Sequence, residues 1–179
     1  IMRHPEGYAK QPGRHPAEAF YRNGTETSAY GLTSYMKEGT DGSYGYLFSV
    51  IGKCNAITTA FEQKDNFEEM MSQSEPTELS QLYGEAVAIR ATCYRELIKY
   101  FGDVQFQSTF GVAAGGLVSR DSIYDVCIEQ LKKVEPHMYV LGTCPTYANN
   151  AKNYYSRTYV DGLIGRMALE AGGYQTRRN

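Results

Sequence analysis

The 179-residue sequence has no tryptophan, no apolar run near the roughly 18 residues that a membrane span needs, and no large excess of either charge. The short apolar runs exclude a helix crossing a bilayer. With 18 Lys plus Arg against 20 Asp plus Glu the net charge is −2, too little field to draw the chain onto a phosphate backbone or an anionic lipid surface. Nucleic acid is not an expected partner. Cysteine is also sparse: Cys54, Cys93, Cys127 and Cys144 form no C-x-x-C pair and have no His at ligand spacing, which argues against a zinc site. The first three fall on apolar faces of predicted helices, where a free Cys acts as a small hydrophobe. Disulfides in an oxidising compartment are the alternative, since the count is even. The opening, Ile1-Met2-Arg3-His4-Pro5, lacks the apolar stretch of a signal peptide and reads as a processed or truncated start.

What is present is a chain with 42% hydrophobic residues, enough for a core, at the length of one domain. Residues 1–45 are rich in Gly, Pro, Thr, Ser and Tyr and read as loop, with Asn23-Gly24 marking a small β-hairpin over 20–27. Asn23-Gly24-Thr25 is also a glycosylation sequon, though the turn explains it better. Leu47, Val50, Ile51, Cys54, Ile57, Thr58 and Phe61 then recur at helical spacing and predict a helix over 46–63. A second stripe, Leu79, Leu82, Tyr83, Ala86, Ile89, Cys93, Leu97 and Tyr100, predicts a helix over 77–101 that ends at Gly102. Small residues at Gly84, Ala86, Ala88 and Ala91 let a neighbouring helix approach closely.

After a glycine-rich loop with a short strand at Val104 to Phe106, Ser119 or Asp121 caps a third helix whose buried face is Ile123, Cys127, Leu131, Val134 and Met138. Pro136 makes its last turn irregular. Val160, Leu163, Ile164, Met167, Ala168 and Ala171 mark a fourth helix, ended by Gly172-Gly173. The expected fold is mainly α: tetratricopeptide-like helix pairs, an alpha-alpha superhelix, with long irregular loops. Two such pairs leave apolar faces for further protein to cover.

A search for chemistry yields no catalytic residue, metal ligand or cofactor site. Asp121, Asp125 and Glu129 share one helix face, but no His or Asn completes a metal cage and Lys132 and Lys133 lie beside them, so they read as a solvated stripe. His4, His15 and His137 are far apart and fit no catalytic frame. Gly111 to Gly116 lacks the Lys-Ser/Thr of a phosphate loop. Tyrosine stands out instead, with six residues before position 47. A tyrosine ring covers apolar C–H surface and offers a hydroxyl at small entropic cost, which suits sugar or peptide recognition. Tyr30, Tyr35 and Tyr44 are the candidate ligand contacts.

The run Gly84-Glu85-Ala86-Val87-Ala88-Ile89-Arg90-Ala91, followed by Leu97-Ile98-Lys99-Tyr100-Phe101-Gly102-Asp103-Val104, resembles the signature segment of the SusD/RagB family. Leu47 to Asn55, Ser119 to Tyr124 and Gly165 to Tyr174 resemble the flanking helical blocks, so the resemblance covers about 46–174. Gln105 departs from the usual Pro, and Asp161-Gly162 from an Ala-rich helix. The resemblance implies the helical portion of a surface lipoprotein of Bacteroidetes, with 175–179 leading into a missing C-terminal region. It further implies non-catalytic capture of a glycan or oligopeptide at the outer membrane and delivery to a SusC-like TonB-dependent transporter. The membrane would be reached only through a lipid anchor outside this segment. Within the signature, Asn55, Arg90, Gly102 and Asp103 read as structural: a buried amide and guanidinium must be hydrogen-bonded, and they tie helix ends to loops. The alternative is a helical-repeat adaptor that binds another protein.

Overall fold

The computed structural model describes the backbone of residues 28–112, 115–147 and 154–176, and the side chains of 44–112, 115–146 and 154–172. The hairpin and sequon expected over 20–27 lie outside the described residues, as do 177–179. In order come α1 (Ser28–Glu62), α2 (Phe67–Ser72), α3 (Glu78–Phe101), β1 (Val104–Gln105), β2 (Leu117–Val118), α4 (Arg120–Val134), 3-10 turns at Glu135–His137 and Pro145–Tyr147, and α5 (Arg157–Thr176). The chain forms two compact units, 1–46 and 47–179, and the packing described below belongs to the second. Among the described residues no helix is long and apolar enough to cross a membrane.

Two boundaries differ from the sequence reading. Helix α1 begins at Ser28, so 28–45 is helix where loop was expected. All three prolines of the N-terminal region precede residue 17. Beyond them every residue can donate a helical hydrogen bond, and the glycines cost only about 1 kcal/mol each against the continuing ladder. Helix α5 likewise continues through Gly172 and Gly173 to Thr176. Both glycines stay within the helix and do not act as Gly102 does, whose positive φ ends α3.

The other ends follow from local chemistry. At the start of α3, Thr77 Oγ1 accepts from the Ser80 amide at 3.1 Å and Ser80 Oγ accepts from the Thr77 amide at 2.9 Å, a reciprocal cap. Gly102 closes the helix with φ 71°, its amide donating to the Ile98 carbonyl at 3.0 Å. Asp103 carries that turn to the next helix, because its Oδ1 accepts from the Arg120 amide at 3.0 Å. Strands β1 and β2 pair antiparallel, Val104 opposite Val118, and lay the chain between α3 and α4 as a hairpin. Ser119 caps α4 by accepting from the Ser122 amide.

Helix α4 packs against both α3 and α5. Its inward face carries Ile123, Cys127, Leu131 and Val134 as expected, all buried, but the helix ends at Val134, and Met138, also buried, follows the 3-10 turn that Pro136 helps to form. Helix α3 is central and carries thirteen buried residues, among them Tyr94 and Leu97 with no exposed surface. Gly84 makes one approach close: a Cβ placed there would lie 2.6 Å from Cγ and Sδ of Met138. All four cysteines are buried and free.

Candidate functional site

Three polar side chains are buried where α1 and α3 meet, and they converge on one loop. Arg90 is 4% exposed, Asn55 1% and Thr58 fully buried. Arg90 Nη1 donates to Asn55 Oδ1 at 2.9 Å, to Thr58 Oγ1 at 3.1 Å and to the Ser108 carbonyl at 3.0 Å, while Nη2 donates to Gln130 Oε1 at 3.1 Å. Asn55 Nδ2 donates onward to the Gln107 carbonyl at 2.9 Å. One guanidinium thereby joins α1, α3, α4 and the loop after β1.

The same loop is held from a second side. The Tyr94 hydroxyl accepts from the Gln107 amide at 2.7 Å and lies 2.9 Å from the Gln107 carbonyl, to which it donates. Thr59 Oγ1 accepts from the Phe110 amide at 3.2 Å. Phe106 stacks against Tyr94 with centroids 4.8 Å apart, and Phe48 meets the other side of Tyr94 edge-on at 6.4 Å. The backbone of 107–110 is thus fixed by side chains of α1 and α3. The Phe110 and Val112 side chains stand outward from it, 60% and 57% exposed.

Arg90 also lines a half-open cleft of about 370 Å³ between the end of α1, α2, α3 and α4. Phe67, Met71, Val87 and Val134 make its apolar walls, and Lys133 and His137 stand with Arg90 along it. Glu62 also lines it and accepts from the Tyr83 hydroxyl at 2.8 Å. Burial first, then that bond and the Glu62 charge, push the Tyr83 phenol well above the usual range.

The sequence-based candidates fall into two groups. Asn55 and Arg90 are brought together, and Gly102 and Asp103 form the turn that leads into the loop they hold. Tyr30, Tyr35 and Tyr44 lie on the helical backbone of α1 rather than in a loop. The Tyr44 side chain is half-buried, and those of Tyr30 and Tyr35 lie outside the described residues. Sequence reasoning missed Gln130, Tyr94 and Gln81. Gln130 interrupts the apolar run of α4 between Cys127 and Val134, which is a signal for a buried polar partner. Gln81, 1% exposed, lies on the small-residue face of α3 beside Gly84 and Ala88. It donates to the Tyr155 carbonyl at 3.0 Å and accepts from the Tyr139 amide at 2.9 Å.

The asp-glu stripe of α4 points outward, with Asp121, Asp125 and Glu129 all exposed. Among the described residues no group of His, Cys, Asp and Glu is placed to hold a metal ion.

A helix-pair platform that clamps a loop through one buried arginine defines the class: a tetratricopeptide-like α fold. No protein-family model matches the sequence, and no curated protein matches it. Solved structures do. The chain is similar to surface glycan-binding protein A from Bacteroides fluxus, with TM-score 0.56 and 20% identity, over 72% of this chain and 25% of that one. A SusD-like carbohydrate-binding protein from Bacteroides fragilis aligns with TM-score 0.58 and 16% identity, over 75% and 25%. A further SusD-like protein from Bacteroides fragilis gives 0.57 and 22%, over 76% and 25%. The fold is SusD-like, and the chain spans about a quarter of the length of these structures.

Proposed function

We propose that this chain is the helical platform of a non-catalytic nutrient-binding protein at the surface of a bacterial outer membrane. In this reading it holds a glycan or an oligopeptide and passes it to a SusC-like TonB-dependent transporter. The carrying observation is the likeness to SusD-like structures, two of which are named for glycan or carbohydrate binding. Tyr30, Tyr35 and Tyr44 are the proposed ligand contacts. Attachment to the membrane in this reading is by a lipid anchor outside residues 1–179.

The test is a glycan array and a peptide array probed with the protein at its full natural length. Retention of one glycan or peptide class, weakened when Tyr30, Tyr35 and Tyr44 are together replaced by Ala with no change in Tm, supports the reading. Retention unaffected by that triple substitution reassigns the tyrosines to packing. Retention of neither class removes the capture function and favours a protein-binding adaptor.

A further inference from the structure

Arg90 has an unusual set of partners for a guanidinium that is 4% exposed. Its acceptors are an amide oxygen of Asn55, a hydroxyl of Thr58, a backbone carbonyl and the amide oxygen of Gln130, all neutral. Among the described residues no carboxylate pairs with it: Arg95, Arg120, Lys133 and Arg157 have acidic partners, and Arg90 does not. An arginine carries five N–H donors. The bonds engage Nη1 and one hydrogen of Nη2, leaving Nε–H and the other Nη2 hydrogen without a protein acceptor among the described residues. A buried charge without a counter-charge is costly, and the cleft that Arg90 lines is where one can enter.

The cleft also indicates what kind of group carries that charge. Lys133, whose exposed side chain pairs with Glu129, and the His137 N–H groups line the cleft with Arg90, and Glu62, its one lining carboxylate, is already bonded to Tyr83. The floor is apolar, with Val87 and Val134 each 2% exposed and Met71 half-buried beside them. A sugar acid brings several hydroxyls that need partners, but the Gln130 and Glu62 oxygens that could serve are engaged with Arg90 and Tyr83. A side chain with a methylene stem and one terminal carboxylate needs no further partners. We propose that this cleft is a docking site for a segment of another polypeptide, which inserts an acidic side chain so that its carboxylate meets Arg90 and its stem lies on the half-buried Phe67 and Met71. This inference is independent of the nutrient-capture reading.

The experiment uses the 179-residue chain and three probes: a blocked pentapeptide with central Glu, the same peptide with central Gln, and free galacturonate. Side-chain resonances of Arg90 and the methyl resonances of Val87 and Val134 report occupancy. The Glu peptide is expected to shift all three saturably and to bind about tenfold more tightly than the Gln peptide, the effect of one charge-assisted pair. Replacing Arg90 itself disturbs the clamp on the loop, so the companion variant is Lys133→Glu, at a side chain that is 70% exposed, with an unchanged far-UV spectrum and Tm as the check on its fold. It should weaken the Glu peptide about threefold and leave the Gln peptide unchanged. Equal affinity for Glu and Gln peptides, tighter binding of galacturonate than of the Glu peptide, or no saturable shift with any probe overturns the proposal.

Discussion

At the residue scale, Arg90 does more for this structure than any other polar group described. Its four acceptors belong to three parts of the fold: Asn55 and Thr58 to α1, Gln130 to α4 and Ser108 to the loop after β1. Removing the guanidinium takes a donor from three side-chain oxygens and one carbonyl; Asn55 and Thr58 are buried, and an acceptor left unpaired there costs on the order of 1–3 kcal/mol. Part of that cost is recovered when methionine fills the volume. Arg90→Met is therefore expected to lower the unfolding free energy by about 3 kcal/mol, read from the midpoint of a urea titration at constant slope. Asn55→Ala combined with it should cost clearly less than the sum of the two single changes, because both remove the same bond. Additive costs would mean that the two residues stabilise the fold separately. Arg90 and Asn55 could be singled out from the sequence because they are strongly polar residues on otherwise apolar faces. Their partners could not, since a backbone carbonyl such as Ser108 carries no mark in the sequence.

At the element scale, the helices were legible where burial is one-sided and less so where it is not. Helix α4 shows an i, i+4 apolar row and buries it as spaced. Helix α3 follows its apparent stripe only in part: Tyr83, Ala86, Cys93 and Leu97 are buried, but Leu79, Leu82 and Tyr100 are 47%, 45% and 60% exposed, and Tyr94, off the stripe, is fully buried. A helix surrounded on most sides has no single apolar face for periodicity to find. The start of α1 was missed because glycine and threonine content argues for loop, whereas what stops a helix is a missing donor or a capped end. Glycines themselves divide on the same principle. Gly84 is required by space, because an added Cβ meets Met138 at 2.6 Å and Met138 is fully buried. Gly162, in α5, has nothing within 4 Å of the same position. Gly84→Ala should lose about 1 kcal/mol, the overpacking exceeding the gain in helix propensity, while Gly162→Ala should gain somewhat under 1 kcal/mol. Thermal melts of the two variants should move in opposite directions. A gain at both positions would show that Met138 can swing aside.

At the scale of the whole molecule, pH links packing to stability, and the sign differs at the two ends of the range. The Glu170 carboxyl is lowered chiefly by the hydrogen bonds from Arg95. It contributes stability above the ordinary carboxylate range that is lost as pH falls through the folded value. The alkaline side has a different origin, in thiols that the core keeps protonated. Burial pushes Cys93 up to about 11 and Cys127 up to about 12, from an ordinary value of 9.0. Below pH 9 both thiols are protonated in the folded and the unfolded chain, and their full contribution is present. Above it the unfolded chain releases protons that the folded chain retains, so the unfolded state gains and stability falls with rising pH. The fall should run from about pH 9 to the folded values. Replacing both residues by alanine removes that proton release at the cost of small cavities, so the variant begins less stable at pH 7 and loses less between pH 9 and 11. Unfolding titrations at pH 7, 9 and 10.5 measure both. Parallel losses in variant and parent would assign the alkaline limb to the groups that remain, the Cys54 thiol, which burial also raises, and the tyrosines, of which Tyr124 is held up to about 12 chiefly by burial.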